Sequence, residues 1–229
     1  MKKIMWIISC ISLAGTALVL QFMPDTVPVH YDIAGNVNRY GSKYENLLFP
    51  GIILLTTLFL SLMSSYFSKK AEKVKNEKEI AEAKTNEKVL NIVGVTLAAF
   101  FTTMQGVIIY NSWKGADIQS GSMPVDLGKV CTILLGVTFV ILGNFMTKTR
   151  TNSVLGLRTT WSMYNDNTWR KSNRFGAIAI IAAGILTIIS AIFIKNSFGA
   201  TMASLGYLII ASIAAVIYSY KVYKKEVSA

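Results

Sequence analysis

The chain has 229 residues, of which 52% are hydrophobic and 15% are charged. Charged residues make up about a quarter of a typical soluble domain, so this composition excludes an ordinary water-soluble fold. The formal net charge of +11 would suit a nucleic-acid-binding protein, but the placement of the charges indicates membrane topology instead, with no direct binding of nucleic acid. The length predicts a single domain over residues 1–229.

Six apolar segments, each about long enough to cross a bilayer, occupy most of the chain. A helix needs about 20 apolar residues to span a hydrocarbon core about 30 Å thick. The segments are residues 4–23, 47–67, 89–110, 128–146, 175–194 and 198–220. The first is longer than the apolar region of a signal peptide and lacks a small-residue cleavage site, so we expect it to be retained. The predicted fold is an all-α membrane protein, a six-transmembrane-helix bundle.

Basic residues are concentrated in alternate loops. The two tails, the second loop and the fourth loop together hold 18 of the 23 Lys and Arg residues. The other five are Arg39, Lys43, Lys114, Lys129 and Lys195. Loops rich in Lys and Arg stay on the cytoplasmic side of a membrane. We therefore predict that both termini are cytoplasmic.

The first loop, residues 24–46, has the pattern of a hairpin. Apolar residues alternate with polar residues or Pro from 27 to 33, a turn is predicted at 34–36, and a second strand at 37–40. Gly35 and Gly41 supply positions at which a positive φ is tolerated. The segment is predicted to be a small extracytoplasmic β-hairpin between helices 1 and 2, whose acidic and basic side chains nearly cancel.

The second loop, residues 68–88, alternates Lys and Glu, and no Gly or Pro occurs between Gly51 and Gly94. Lys and Glu one helical turn apart favour a helix. We predict a cytoplasmic helical extension of the second span that turns near Thr85 and Asn86. A run of charges is usually a solvated face, so this loop is assigned a structural role only.

The fourth loop, residues 147–174, combines basic residues with two Trp; we call it the Arg/Trp segment. Asn165 is a good helix N-cap, after which Trp169, Ser172 and Asn173 share one face. This pattern predicts an amphipathic helix lying in the inner interface, with Trp161 and Trp169 at the level of the lipid headgroups. Composition alone also permits a role limited to anchoring and topology.

The sequence offers little catalytic or metal-binding chemistry. His30 is its only histidine, so one chain holds no two-His metal site, and there is no Gly-rich phosphate loop. All twelve acidic residues lie in loops or at segment ends, whereas proton or ion relays need carboxylates within the membrane. We predict no catalytic residue, no metal and no cofactor, and hence no enzyme; a transporter is a weak alternative.

Two stretches of the sequence, in the first and fourth loops, carry motifs of a known family. MPDTVPVHYDIAGNVNRYGSK, between the first two spans, has Val-Pro, aromatic, Gly and closing Tyr-Gly-Ser-Lys elements. In these it resembles the short extracytoplasmic segment of the SdpI family of bacterial immunity proteins. LGNFMTKTRTNSVLGLRTTWSMYNDNTWRKSNRFGA, after the fourth span, resembles its second signature, including Gly-Asn, Gly-Leu-Arg-Thr, Thr-Trp and Trp-Arg-Lys-x-x-Arg. The long Lys/Glu loop departs from the family pattern.

The resemblance implies a protein of the bacterial cytoplasmic membrane that binds or neutralises a secreted antimicrobial peptide toxin and so protects the producing cell. Its partners would be the lipid bilayer and the toxin. Some family members also signal, by sequestering a cytoplasmic transcriptional repressor, which would make this chain a membrane signalling receptor acting through its inner loop. Export of the toxin is a third, weaker alternative.

Matching the two motifs position by position gives two sets of candidate residues. The outer candidates for toxin binding are Pro28, His30, Tyr31, Gly35, Arg39, Tyr40, Gly41 and Lys43. The inner candidates are Asn144, Asn152, Gly156, Arg158, Thr159, Trp161, Trp169, Arg170 and Arg174. For most of them a role in folding or topology is the alternative, and we expect Gly35, Gly41 and Gly156 to be turn residues rather than contacts.

Overall fold

The structure is a computed structural model that describes residues 1–117, 121–147 and 150–228. Two positions of the Arg/Trp segment, Lys148 and Thr149, therefore lie outside the described residues. The elements follow in the order α1 (Lys2–Val19), β1 (Thr26–Tyr31), β2 (Val37–Ser42), α2 (Leu48–Lys73), α3 (Glu77–Asp117), α4 (Leu127–Met146), α5 (Asp166–Phe193) and α6 (Ser197–Val227). Short 3₁₀ helices at Leu20–Phe22 and Lys43–Leu47 flank the two-stranded antiparallel sheet.

Among the described residues, six helices are long and apolar enough to cross a membrane. The predicted helical bundle and the hairpin between its first two helices are thus confirmed. The helices extend beyond the predicted spans, most of all α3, whose 41 residues begin within the charged loop.

The predicted turn near Thr85 and Asn86 is wrong, because the chain turns at residues 74–76. Helix α2 does continue past its apolar span, as expected, but ends at Lys73. The side chain of Asn76 then accepts a hydrogen bond from the backbone N–H of Lys78, 2.9 Å away, and begins α3. Thr85 stays helical, with its hydroxyl bonded to the Ala81 carbonyl at 2.8 Å.

The predicted interfacial amphipathic helix is also wrong as a separate element. Asn165 caps the helix as expected, with its side chain accepting from Thr168 N at 2.8 Å. Helix α5 then runs without a break from Asp166 to Phe193. Trp169 is 2% exposed, so it packs inside the protein rather than at headgroup level. The residues predicted to form a separate interfacial helix are instead the first turns of the membrane-spanning helix α5.

The six helices pack as two groups of three. Helices α1, α2 and α3 contact one another, as do α4, α5 and α6, and the groups meet chiefly through α3 and α4. Within the second group, Gly136 of α4 and Gly184 of α5 approach so closely that a Cβ at either would meet the other's backbone oxygen at 2.7 Å. Small residues of this kind allow close contact between membrane helices.

Polar side chains link the first three helices inside the bundle. The hydroxyls of Ser9 and Thr57 are 2.7 Å apart, and Ser64 donates to Asn91 Oδ1 at 3.2 Å. Gln105 Nε2 donates to Thr16 Oγ1 at 3.3 Å and to the Asn46 carbonyl at 3.0 Å. Hydrogen bonds between helices satisfy groups that lipid cannot.

The hairpin and the Arg/Trp segment lie at opposite ends of the bundle. The hairpin shares its end, here called the hairpin end, with residues 121–126 and with the junction between α5 and α6. The Arg/Trp segment lies with the start of α3 and the end of α6.

Candidate functional site

The first strand attaches the hairpin to the bundle. Val27 is fully buried and packs in a cluster with Leu20 and Met23. Pro28 is buried too and lies close to Gly115 of α3. These contacts give Pro28, one of the outer candidates, a packing role.

Tyr31 and Asn111 connect the hairpin to α3 and to the segment that precedes α4. The Tyr31 hydroxyl donates to the Asn111 carbonyl at 3.1 Å. The pKa of Tyr31 is raised, mainly because the hydroxyl is partly buried and to a smaller extent because Tyr40 is nearby. The Asn111 side chain donates to the Val125 carbonyl at 2.8 Å and accepts from its N–H at 2.9 Å. Asn111 was not predicted; an amide at the end of an apolar segment is its one sequence signal.

The hairpin turn is built as its sequence predicts. Gly35 has φ of +85°, the left-handed region that favours glycine. The backbone and side-chain nitrogens of Asn36 donate to the two Asp32 carboxylate oxygens at 2.8 and 3.1 Å, which lowers the pKa of Asp32. The Gly35 carbonyl accepts from Met123 N at 2.7 Å, so residues 121–123 run beside the turn.

Two ion pairs neutralise most of the hairpin's charge, in agreement with the near cancellation that the sequence predicts. Arg39 and Glu45 form a forked pair with a shortest distance of 2.8 Å. Lys43 lies 3.0 Å from Asp25 and also donates to the Met23 carbonyl at 3.1 Å. Lys43 thus holds the hairpin to the end of α1.

Gly41 does not adopt a positive φ, so the turn role predicted for it is wrong. A Cβ at this position would displace the Glu45 carboxylate, which pairs with Arg39. His30 and Tyr40 are exposed on the hairpin, with His30 Nδ1 2.6 Å from Asn38 Oδ1. Of the eight outer candidates, His30, Arg39 and Tyr40 are therefore exposed, and the other five contribute visibly to the fold.

Two cavities lie under the hairpin. The larger, about 710 Å³, is bounded by β1 and the turn, by the end of α3 and by the first residues of α4 and α6. The smaller, about 430 Å³, is bounded by the Arg39–Glu45 pair, by Gln105 and by apolar residues of α2. Val29, Ile108 and Ser112 line both, so the two spaces adjoin.

At the opposite end, Asn152 organises the first part of the Arg/Trp segment. Its side chain is 1% exposed and accepts from the N–H groups of Val154 and Leu155 at 2.9 and 2.8 Å. Its Nδ2 donates to the carbonyls of Arg150 and Leu155, both at 2.9 Å. The buried Asn152 amide therefore supplies hydrogen-bond partners that the backbone of this irregular segment does not find within itself.

Gly156 is where this segment meets α5. Its φ of +132° confirms the predicted turn role. A Cβ there would collide with Asn173 Oδ1 and contact the Trp169 ring. Asn173 accepts from Leu157 N at 2.6 Å and donates to the Trp169 carbonyl at 3.1 Å. Asn173, which the motif comparison did not select, is as central here as Trp169.

Thr159 and Trp161 connect the segment to α6. The Thr159 hydroxyl is 2.9 Å from that of Ser219 and accepts from Ser162 N at 3.0 Å. The rings of Trp161 and Tyr220 meet edge to face, with centroids 5.0 Å apart. Both motif residues thus hold the segment against the bundle.

The remaining inner candidates face outward. Arg158, Arg170 and Arg174 are exposed, although Arg158 donates to the Ser153 carbonyl at 3.1 Å. Asn144, at the end of α4, is also exposed and does not take part in the network around Asn152 and Asn173. The three arginines therefore present positive charge on an ordered surface.

Helix α3 reaches this end as well, which the sequence did not reveal. Asn86 is buried and accepts from Ser153 N at 2.8 Å, and Glu82 accepts from the Ser153 hydroxyl at 2.7 Å. A cavity of about 920 Å³ lies between α3, the Arg/Trp segment and the start of α5, with Arg150, Arg170 and Lys78 among its lining residues. No cluster of three or more His, Cys, Asp or Glu that could hold a metal ion occurs in the described part of the chain.

Comparison with known proteins gives matches that include both ends of the molecule. Residues 148–219 match the SdpI/YfhL protein family, and residues 7–54 match a domain of unknown function, DUF1648. The chain is 20% identical over 227 residues to Immunity protein SdpI of Bacillus subtilis (strain 168), covering 98% of each chain. The chain is therefore similar to SdpI-type proteins. No solved structure matches it.

The two matched ranges coincide with the two ordered ends. The range that matches DUF1648 contains the whole hairpin, and the range that matches the SdpI/YfhL family contains the network around Asn152 and Asn173 together with α5 and most of α6. With six apolar helices and this similarity, the chain is a multi-pass membrane protein that is similar to an immunity protein. The segments that resemble the family are those in which buried side chains hold irregular backbone.

We expect Asn152→Ala to loosen the Arg/Trp segment. The substitution leaves two backbone N–H groups without their acceptor, which costs about 1–3 kcal/mol for each buried unsatisfied group. Limited trypsin digestion of the purified protein in detergent should then cut faster after Arg150 and Arg158. Asn144→Ala, which removes an exposed motif residue, is the matched control. Equal cleavage rates for the two variants would contradict the role assigned to Asn152.

Proposed function

We propose that this chain is an integral membrane immunity protein that binds a secreted antimicrobial peptide at the outer surface of the bacterial cytoplasmic membrane and holds it in a non-lytic state. The observation that carries the proposal is the similarity to Immunity protein SdpI, which extends over 98% of both chains. The proposal assigns no catalytic step to the protein.

The hairpin end is the part of the molecule that we assign to the toxin. The proposal places this end outside, since it carries few of the basic residues and positive charge is retained inside. The hairpin is anchored by buried residues and covers two cavities, so it offers a pre-formed surface at the membrane boundary. At its tip Ile33 is 86% exposed, an apolar side chain available for contact with an apolar peptide.

Expression of the protein in a toxin-sensitive strain should raise the peptide concentration needed to stop growth, and Ile33→Ser should lower that protection about fivefold or more. Loss of one well-buried apolar contact costs about 1.5–3 kcal/mol. Met163→Ser, which changes an exposed apolar residue at the opposite end, is the matched control. Growth inhibition is measured at equal membrane levels of each variant.

Deletion of residues 27–43 should abolish protection, although it also removes the buried Val27. For that reason the comparison of Ile33→Ser with Met163→Ser is the decisive one. Equal killing with and without the intact protein would remove the immunity proposal.

A second candidate function is signalling through the Arg/Trp segment. Arg158, Arg170 and Arg174 are exposed on this segment and the start of α5, and Arg170 lines the cavity of about 920 Å³. Arginine forms strong, charge-assisted hydrogen bonds with carboxylates, so the partner we propose is a small cytoplasmic repressor with an acidic surface.

We expect Arg158→Ala together with Arg170→Ala to release such a repressor from the membrane in toxin-treated cells. Fluorescently tagged regulators encoded beside the gene are followed by microscopy, with Lys221→Ala as a control that removes an exposed positive charge from α6. Loss of a hydrogen bond to a charged group weakens binding about tenfold or more. Unchanged membrane retention in the double variant would restrict the segment to folding and topology.

A further inference from the structure

The larger cavity under the hairpin carries two carboxylates that are not neutralised. Asp32 of the turn and Asp126, which precedes α4, both line it. Within the described residues, the ion pairs of this end are Arg39–Glu45 and Lys43–Asp25, and neither involves Asp32 or Asp126. The cavity lining includes no Lys or Arg. The two charges therefore face a space without a basic partner.

The hydrogen bonds that these carboxylates already accept leave other acceptor positions free. Asp32 accepts from Asn36, and Asp126 Oδ1 accepts from Lys129 N as the cap of α4. Both are exposed, and a carboxylate has about four acceptor positions. Each can thus accept further hydrogen bonds from a ligand without breaking its present ones.

Two helices begin at this cavity and oppose part of the negative charge. The N-termini of α4 and α6 each contribute roughly half a positive charge. Two full carboxylate charges exceed that contribution by roughly one unit. His30 also lines the cavity, and its Nδ1 is hydrogen-bonded to Asn38 Oδ1, 2.6 Å away. The cavity therefore favours a cationic group.

The adjoining smaller cavity also contains a hydrogen-bond acceptor that is not paired with a donor, the side-chain oxygen of Gln105. Gln105 is 2% exposed, and its Oε1 accepts no hydrogen bond from the residues that the structure describes. Its amide nitrogen already donates to Thr16 and to Asn46, which fixes the orientation of the group. A buried acceptor left unpaired is costly, so this side of the hairpin also suits a ligand that donates hydrogen bonds.

Apolar side chains surround these acceptors. Ile33, Phe198 and Met202 line the larger cavity and are 86%, 54% and 44% exposed. Exposed apolar groups beside isolated charges are typical of a surface that recognises an amphipathic partner. The space thus matches a ligand with both an apolar face and a positive charge.

We propose that the cavity between the hairpin and the starts of α4 and α6 binds a cationic amphipathic peptide, with a Lys ammonium or Arg guanidinium bonded to Asp32 and Asp126 and apolar side chains against Ile33 and Phe198. This rests on the proposed immunity function and specifies the class of toxin that the protein recognises. Its occupant is a peptide that approaches from the membrane surface.

The proposal is tested with the full chain in nanodiscs of neutral phosphatidylcholine. The probes are three fluorescent model peptides with the same amphipathic arrangement of Leu, whose polar residues are Lys, Ser or Glu. Binding is followed by fluorescence anisotropy, with empty nanodiscs subtracted. The variants are Asp32→Asn, Asp126→Asn and both together, since Asn can still accept from the backbone N–H of Asn36 in the turn and of Lys129 at the cap but removes the charge. At Asp32 only the second bond, from the Asn36 side chain, is lost. Asp25→Asn, at the same end but outside the cavity, is the matched control.

We expect the Lys peptide to bind about tenfold tighter than the Ser peptide and the Glu peptide to bind weakest. Each single Asn variant should weaken binding of the Lys peptide about threefold to fivefold, and the double variant about tenfold or more, because partly exposed ion pairs are individually modest. Binding of the Lys peptide should also weaken as salt is raised, because salt screens exposed charges. Asp25→Asn should bind like the unaltered protein.

Equal binding of the Lys and Ser peptides, or an equal loss in Asp25→Asn and Asp126→Asn, would overturn the proposal. The growth assay separates this failure from that of the immunity function. If the double variant protects cells as well as the unaltered protein does, the cavity assignment fails while immunity stands. If no form of the protein protects, immunity fails, whereas peptide binding in nanodiscs still decides the chemistry of the cavity.

Discussion

Every backbone polar group that leaves a helix and is buried away from water must find a partner, because neither lipid nor apolar side chains offer one. In this protein buried amide side chains supply many of those partners. Asn111 binds both backbone groups of Val125 at the hairpin end, whereas Asn152 and Asn173 bind the irregular backbone of the Arg/Trp segment. The two ordered surfaces that the proposals use depend on these few side chains.

The grouping of the helices places a cavity at each end of the seam between the two halves. The hairpin-end cavity lies between α3 and the starts of α4 and α6, and the opposite one lies between α3 and the start of α5. Helix α3 borders both. Its Asn111 binds Val125, just before α4, and its Asn86 binds Ser153, between α4 and α5. One helix thus contacts both candidate surfaces, an arrangement suited to a protein with a partner on each side.

Periodicity and length were sufficient to predict the spans, and alternation with Gly35 was sufficient to predict the hairpin, because those signals are local. The turn after α2 was misplaced because Asn76 and Asn86 are equally good caps by sequence; the contact of Asn86 with Ser153, 67 positions away, decides between them. Trp169 was wrongly assigned to the membrane interface because the helical pattern alone was considered. Its burial depends on packing against Gly156, which lies outside the helix. Likewise, the nearly neutral composition of the hairpin did not reveal that Asp32 is unpaired, since pairing is a property of the fold.

The central claim is that the hairpin faces the exterior and the Arg/Trp segment faces the cytoplasm. Asn38 and Lys171 are exposed on these two elements, so each can be replaced by Cys in a chain carrying Cys10→Ser and Cys131→Ser. Labelling intact cells with a membrane-impermeant maleimide should modify the cysteine at position 38 at once and that at position 171 only after the membrane is permeabilised. Labelling of both positions in intact cells, or of position 171 alone, would contradict the account.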